Sequence, residues 1–309
     1  MRPCGDFRTT YASDMTIFAT PVTRYLALAF IVALLFVPLF GSPYMLNLMI
    51  QIGYYGIAAL GLNLVVGFTG QISLGHSAFF GFGAFASAWL NNSLGVPVFF
   101  AIPLAGCLTM LVGLFVGIPA GRIKGLYLAI ATLASQFILE DFFARAEWFT
   151  GGSAGAMAEY LTIFGYTFDT DQSYFYVVLF YVVLMFTFTS NLIRSRDGRA
   201  LIAVRDHYLS AEIMGINLTW YRVMSFGLSA LYAGIGGALF GHYLGFVSVE
   251  GFTIILSIQF LAMIIIGGLG SIYGTILGVI FMVLLPEVME WSVHLFSASM
   301  PELIQSLAY

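Results

Sequence analysis

Polar residues interrupt one of the most apolar parts of this 309-residue chain. Residues 67–85 read GFTGQISLGHSAFFGFGAF and lie within residues 25–121, which contain no Asp, Glu, Lys or Arg. Gln71, Ser73 and His76 carry side chains that can bind a small polar molecule or join neighbouring helices by hydrogen bonds. Polar groups inside a membrane are costly unless they have such a partner. This stretch is therefore the first candidate for function.

The rest of the sequence shows no pattern that is typical of a catalytic site or a metal site. Four histidines stand far apart without metal-type spacing: His76, His207, His242 and His294. No Ser/His/Asp set is indicated either. Lys124, the one lysine, follows GIPAGRI, which is not the loop that cradles nucleotide phosphates, and Cys4 and Cys107 predict no disulfide framework. We expect a protein that is not an enzyme and that uses no metal and no cofactor.

The composition is that of an integral membrane protein. Hydrophobic residues make up 60% of the chain and charged residues 8%, against about 25% charged residues in soluble domains. A bilayer core of about 30 Å needs roughly 20 apolar residues per helix. Apolar segments occur at 25–40, 44–66, 72–90, 96–120, 125–139, 172–193, 223–249 and, long enough for two short passes, 251–286. We predict an all-α, polytopic transmembrane helix bundle with about 8–10 passes and glycine-interrupted segments.

The distribution of Lys and Arg predicts which loops are cytoplasmic. Five arginines crowd residues 194–222: Arg194, Arg196, Arg199, Arg205 and Arg222. Residues 140–172 are acidic and are expected outside. The predicted layout has a cytoplasmic segment at 1–24, a membrane domain at 25–287 and an interfacial segment at 288–309. We interpret 25–40 as a retained helix rather than a cleaved signal peptide, because no A-x-A-like site follows it.

Small residues recur every fourth position in several predicted helices. The stripes are Gly113, Gly117, Gly121 and Gly125; Ala233, Gly237, Gly241 and Gly245; and the pair Gly274 and Gly278. Such spacing lets helix backbones approach closely in lipid, where no hydrophobic drive brings helices together. These stripes predict a tightly packed bundle and carry no mechanism of their own.

A second interruption, GGLGSIYG, follows an apolar run at residues 267–274. Non-helical backbone at membrane depth occurs where it is buried in protein or lines a cavity, and paired interruptions in a transporter indicate its pathway. The candidate pathway residues are Gly70, Gln71, Ser73, Gly75, His76, Gly267, Gly268 and Gly270. For His76, a link between helices remains as good an interpretation as a place on the pathway.

The arginine-rich loop contains a predicted amphipathic helix at residues 198–217, GRALIAVRDHYLSAEIMGIN. Its apolar stripe consists of Leu201, Val204, Tyr208 and Ala211. Gly215 provides a stop signal. Such a helix can lie on the membrane surface or dock in a groove of a partner, and its mixed charge favours a protein partner.

Several motifs occur in an order that is typical of one family. They are GLNLVVGFTGQISLGHSAFFGFGAF, TGGSAG, SRDGRALIAVRD followed by AEIMGIN, and SIQFLAMIIIGGLGSIYGTILGVIFMVLLPE. Over about residues 60–286 the chain resembles the M-type permease subunits of branched-chain amino acid ABC importers. The resemblance implies the helix bundle of an ABC importer permease in a bacterial plasma (inner) membrane, surrounded by lipid. It also implies transport of a small molecule and no binding of nucleic acid.

The resemblance further implies partners and a coupling element. The partners are a second homologous permease, two cytosolic ABC ATPases and an extracytoplasmic solute-binding protein. In such importers a cytoplasmic helix of the permease inserts into a groove on the ATPase. The matching residues here are Arg205, Asp206, Ala211, Glu212 and Gly215.

The substrate implied by the resemblance is a branched-chain, hydrophobic amino acid. Permeases of the same family for urea and short amides, or for organic acids, are alternatives. A different class, a self-sufficient channel or an ion-coupled carrier, is the other hypothesis. Ion-coupled carriers commonly use intramembrane Asp, Glu or Lys, which we do not find in the predicted spans.

Overall fold

The computed structural model describes residues 21–298, apart from residues 124, 164 and 165. The described part is built mainly from helices, which confirms the all-α interpretation. Its α-helices, in chain order, are α1 (Pro21–Phe40), α2 (Pro43–Val66), α3 (His76–Leu94), α4 (Val98–Ala120), α5 (Leu126–Arg145), α6 (Glu147–Thr150), α7 (Asp171–Arg194), α8 (Arg196–Asp206), α9 (Tyr208–Ile213), α10 (Leu218–Leu244), α11 (Ile254–Gly267) and α12 (Ile272–Ala298). The predictions for residues 1–20 and 299–309 fall outside the described residues.

Short strands and 3-10 turns organise the loops at one end of the bundle. The strands are β1 (Ala156–Met157), β2 (Thr162–Ile163), β3 (Tyr166–Thr167) and β4 (Phe246–Val247), and the 3-10 helices are Gly152–Ala154 and Val249–Phe252. β1 pairs antiparallel with β4, and β2 pairs antiparallel with β3. The pairing of β1 with β4 ties the long acidic loop to the end of α10.

Six helices in the described part are long and apolar enough to cross a membrane: α2, α4, α5, α7, α10 and the Ile272–Glu290 part of α12. Two apolar helices are shorter, namely α11 and the Leu28–Phe40 part of α1. α3 contains many Gly, Ser and Asn residues. Each predicted apolar segment thus corresponds to a helix. Of the 8–10 predicted passes, six in the described part are long and apolar enough to cross a membrane.

Several helix boundaries differ from the predicted segments; α10, for example, runs from Leu218 to Leu244 rather than over 223–249. α3 begins at His76 rather than near residue 72, because residues 67–75 form turns and extended backbone. α5 continues to Arg145 instead of ending near residue 139. α12 runs through Pro286 without stopping at residue 287, although an interior proline removes one backbone hydrogen bond and crowds the preceding turn. The predicted division at 267–270 is confirmed, with α11 ending at Gly267.

α2 and α10 form the buried centre of the bundle, while the other spanning helices expose most of their surface. Glycines explain how closely α10 approaches its neighbours. A Cβ on Gly237 would collide with the Phe80 carbonyl of α3, and one on Gly234 would lie 3.1 Å from the Cα of Gly106 in α4. On α4, a Cβ on Gly113 would collide with the Ala230 side chain of α10. The predicted packing role is confirmed for the stripe members Gly113 and Gly237, whereas a Cβ on Gly125, which lies just before α5, would meet no atom within 4 Å.

The connecting segments gather at the two ends of the bundle. At one end the Arg222 side chain reaches the Gly121 carbonyl, so the two predicted cytoplasmic loops meet. At the other end Asn92 donates to the Met157 carbonyl, which joins the α3–α4 turn to the acidic loop. This grouping agrees with the sidedness that the charge pattern predicts.

Candidate functional site

The first interruption is a glycine turn at the end of α2. Gly70 has φ +72°, and its N–H donates to the Val66 carbonyl at 3.2 Å while the N–H of Gln71 donates to the Val65 carbonyl at 3.0 Å. Such a left-handed glycine satisfies the last carbonyls of a helix and reverses the chain. Residues 71–75 then run as non-helical backbone towards the start of α3.

The second interruption lies against the first. Gly268 and Gly270, between α11 and α12, have φ +105° and +75°. The side chain of Asn63 in α2 joins the two breaks: its Oδ1 accepts from the Gly270 N–H at 2.9 Å, and its Nδ2 donates to Thr275 Oγ1 at 2.7 Å. Sequence reasoning missed Asn63, although an amide in an apolar helix just before a glycine interruption is a signal that could have found it.

The predicted pathway residues differ in what surrounds them. His76 is fully buried, with Nε2 2.7 Å from the Ala58 carbonyl and Nδ1 3.4 Å from Ser229 Oγ. Both ring nitrogens thus have partners on other helices, which favours the interhelical interpretation of His76. Gln71 and Ser73 are also buried, whereas Gly70 is exposed. Gln71 donates to Ser225 Oγ at 2.8 Å, but its Oε1 has no hydrogen-bond partner among the described residues.

α3 begins inside the bundle. Its first residue, His76, contacts the Ala58 carbonyl, which lies about 12 Å before Val66 along α2 at the 1.5 Å rise of an α-helix. Gly75 offers no side-chain cap, so the free N–H groups of this helix start need other acceptors. Ser257 Oγ accepts from the Ser77 N–H at 2.9 Å. Side chains of other helices therefore replace the missing cap.

Gln136 of α5 completes this junction. Its Oε1 accepts from the Ala78 N–H at 2.9 Å, and its Nε2 donates to the Phe252 carbonyl and to Glu140 Oε1, both at 2.8 Å. Gln136 and Ser257 are fully buried. Three elements, α3, α5 and the start of α11, thus meet at one satisfied polar cluster. The sequence analysis did not single out Gln136, although Gln136 and Glu140 are one helical turn apart in an apolar segment.

The element that the sequence predicts to be cytoplasmic consists of two helices rather than one. α8 and α9 are divided at His207, whose φ and ψ are −148° and 81°. The His207 N–H still donates to Ala203 and its carbonyl accepts from Ala211, so the bend loses neither bond. Of the predicted apolar stripe, Leu201, Val204 and Ala211 are buried and Tyr208 is partly exposed.

The predicted coupling residues divide into two groups. Ala211 is buried, and Arg205, although exposed, bonds to the bundle: its Nη1 donates to the Gly67 carbonyl at 2.7 Å, while its Nε donates to Asp206 Oδ1 at 2.8 Å. Asp206, Glu212 and Gly215 are exposed. Gly215 has φ +85°, and a Cβ at this position would meet open space.

Arg222 is a further functional candidate. The sequence analysis used it only as one of the arginines that predict a cytoplasmic loop. It is mostly buried near the start of α10, where its Nη1 lies 3.5 Å from the Gly121 carbonyl. Its guanidinium lies 6.0 Å from the centre of the Tyr208 ring. Arg222 thus links the end of α4 to the start of α9.

An exposed apolar patch lies on α9 and the start of α10. We call it the cytoplasmic patch, and it consists of Leu209, Ile213, Met214 and Trp220. Ile213 and Met214 are 86% and 82% exposed. Exposed charges at Asp206 and Glu212 flank these side chains. An apolar patch bordered by charges is typical of a protein-binding surface.

Comparison with known proteins agrees with this architecture. The family described as "Branched-chain amino acid transport system / permease component" matches residues 44–305. The "high-affinity branched-chain amino acid transport system permease protein LivM" of Salmonella typhimurium is 34% identical over 260 residues, which are 76% of this chain and 61% of that protein. LivM of Escherichia coli is 33% identical with the same coverage. The "probable branched-chain amino acid transport permease protein LivM" of Methanocaldococcus jannaschii is 25% identical over 275 residues, 81% of this chain and 79% of that protein.

The chain spans 61% of the length of the first two relatives. No solved structure matches it with significant similarity. The family match covers most of the chain, including both glycine interruptions and the cytoplasmic helices. This multi-pass membrane protein therefore belongs to the branched-chain amino acid transport system permease family.

Proposed function

We propose that the chain is the membrane subunit of an ATP-driven importer of branched-chain amino acids in a bacterial plasma membrane. It pairs with a second, homologous permease, binds two cytosolic ATPases and receives its substrate from an extracytoplasmic solute-binding protein. ATP hydrolysis belongs to the ATPases. The family match and the names of the bacterial relatives support this proposal.

The observation that best supports an ATPase partner is the cytoplasmic patch. It follows Arg205 and Asp206 in the arginine-rich loop, and this mixed charge favours a protein partner over lipid. Ile213 and Met214 would be left in water unless a partner covers them. An apolar helix surface of this kind fits a hydrophobic groove on another protein. We assign this groove to the ATPase.

The pathway assignment rests on the glycine interruptions. Residues 71–75 are non-helical backbone beside a helix that starts inside the bundle. Gln71 and Ser73 are buried there, and the free amide oxygen of Gln71 is able to accept a hydrogen bond when its surroundings change. We propose that these two side chains come to line the pathway when the bundle rearranges. Gly267, Gly268 and Gly270 then permit movement of the adjoining turn.

The substrate proposal rests on the relatives rather than on a binding pocket. In this assembly the solute-binding protein selects the substrate largely by itself, so urea, short amides and organic acids are alternative substrates for the same permease fold. The acidic loop presents exposed aromatic residues, including Trp148 and Tyr160, at the end of the bundle where that protein docks.

The test is co-purification of the tagged chain from membranes after co-expression with its genomic neighbours. We expect a second permease and two P-loop ATPases to co-purify, and transport in proteoliposomes to require ATP and the solute-binding protein. That protein is then titrated with leucine, isoleucine, valine, urea and dicarboxylic acids to determine the substrate. A chain that purifies alone and moves solute without ATP would instead be a channel or carrier.

The contribution of the cytoplasmic patch is tested by Ile213→Asp. This variant should lose the ATPases while it still reaches the membrane, because a charge replaces an apolar contact. Met157→Asp is the matched control, since Met157 is 71% exposed at the opposite end of the bundle. ATPase binding by Ile213→Asp at the level of the control would place the ATPase elsewhere.

A further inference from the structure

The guanidinium of Arg205 lies against both glycine turns. Its Nη1 donates to the Gly67 carbonyl at 2.7 Å, and an ideal Cβ on Gly270 would lie 2.9 Å from the same Nη1. Carbonyls at the C-terminal end of a helix lack partners within that helix and carry partial negative charge. Gly67 follows the end of α2, and the Gly270 turn follows the end of α11. The Arg205 cation thus stands at the C-terminal ends of two helices.

We infer that Arg205 is a positioning residue that passes movement of α8 and α9 to the two glycine turns. The inference rests on the proposed function, because the movement originates in the ATPases. It differs from the role that the family resemblance implies for Arg205, which is direct contact with an ATPase. Although Arg205 is exposed, its guanidinium is bonded within this chain, through Nη1 to the Gly67 carbonyl and through Nε to Asp206 Oδ1.

The Arg205 side chain packs against both glycine turns. Gly70 and Gly270 have positive φ angles, which favour glycine, and both also approach the Arg205 side chain. An ideal Cβ on Gly70 would lie 3.0 Å from Arg205 Cγ. A side chain at either glycine would therefore displace the guanidinium as well as strain the backbone. The glycines leave room for the contact between α8 and the membrane helices.

Asn63 links the glycine turn beside Arg205 to α2 and α12 through hydrogen bonds. It binds the Gly270 N–H and also Thr275 Oγ1, so the turn beside Arg205 is fastened to α2 and to α12. α8 is bonded to α9 through His207, and α9 presents Ile213 to the outside. Force applied to the cytoplasmic patch therefore has a continuous bonded route through Arg205 to α2, α11 and α12. Arg205 bonds to the Gly67 carbonyl, whereas the patch residues are exposed and lie on α9 and α10, so binding and transmission are separable by mutation.

A reversible cross-link tests this route. An ideal Cβ on Gly70 lies 3.6 Å from Arg205 Cβ, within the separation of about 3.5–4.5 Å that a disulfide requires. The pair Gly70→Cys and Arg205→Cys is made in a background where Cys4 and Cys107 are replaced. We expect Arg205→Cys alone to retain ATPase co-purification and ATP hydrolysis but to lose transport by about tenfold, within the usual range of coupling between sites.

Oxidation of the double variant should restore transport, because the disulfide replaces the connection that the arginine made, and reduction should remove it again. The oxidised and reduced forms have the same sequence, so both carry the backbone strain of Gly70→Cys. A difference in transport between them therefore reports the disulfide and not that strain. Arg196→Cys is the matched control, since it removes another exposed cation from α8. The inference is overturned if Arg205→Cys transports normally, if it loses the ATPases, or if the oxidised pair stays inactive. Failure of the unmutated chain to bind ATPases would refute the proposed function instead.

Discussion

The side-chain oxygen of Asn63 accepts a hydrogen bond from the backbone N–H of Gly270 at 2.9 Å. The two residues are separated by most of the chain, yet this bond brings the glycine turn after α2 together with the turn between α11 and α12. The Asn63 side chain is completely buried, and its bond to Thr275 Oγ1 is buried as well, so few waters can replace its partners. The amide therefore holds together the two interruptions that the sequence presents as separate features.

Replacement of Asn63 should destabilise this junction. Asn63→Leu leaves the Gly270 N–H without its partner, which costs about 1–3 kcal/mol for a buried group. Thr275→Val is the graded comparison, because it removes one of the acceptors of the amide and leaves its bond to Ser271. Thermal unfolding of the purified protein should show a larger loss for Asn63→Leu than for Thr275→Val. An equal or smaller loss would mean that the amide does not hold the turns together.

Gly215→Arg should prevent ATPase association without disturbing the fold. Gly215 has a positive φ and faces open space, so the new side chain projects outward next to the cytoplasmic patch. Gly95→Arg is a matched control, because Gly95 also has a positive φ and open surroundings but lies after α3 at the opposite end. Both variants carry similar backbone strain. Co-purification measures the ATPases, and their retention by Gly215→Arg would refute the predicted docking site.

Cysteines at 71 and 73 should reveal whether the non-helical segment lines the pathway. Gln71 and Ser73 are buried in this structure, so Gln71→Cys and Ser73→Cys should react with a water-soluble thiol reagent only in some nucleotide states. Ser87→Cys is the protected control, since Ser87 is buried against His242. Met157→Cys is the reactive control. Protection of both test positions in every nucleotide state would make them packing residues.

Gly237→Ala should disrupt packing between α10 and α3. The added Cβ would collide with the Phe80 backbone carbonyl, which cannot rotate away, and overpacking of this kind costs about 1–3 kcal/mol. Gly56→Ala is the matched control, because Gly56 is a buried helical glycine whose Cβ would meet no atom within 4 Å. Thermal unfolding should distinguish the two variants. Equal stability would show that α10 can move away from α3 at little cost.

The family and the helical architecture were predictable because they depend on local patterns. Residue composition, apolar segment length and arginine placement each act within a short stretch of chain, and the ordered motifs add the family. The division at 267–270 and the packing role of the glycine stripes were predictable for the same reason. The start of α3 was missed by several residues, since the apolar segment continues through extended backbone, where Thr132 accepts from the Leu74 N–H. Ser257 and Gln136, from other helices, accept from the Ser77 and Ala78 N–H groups at the helix start.

The sequence by itself determined that this is a polytopic membrane protein of the permease family, with two glycine interruptions and an amphipathic element in the arginine-rich loop. Only the tertiary structure decided that the interruptions touch, that Asn63 joins them and that Arg205 bonds to the Gly67 carbonyl while Ile213 is exposed. The physical reason is that a hydrogen bond depends on the position of both partners. Residues more than a hundred positions apart become partners only when the helices pack, and no local pattern in the sequence encodes that distance.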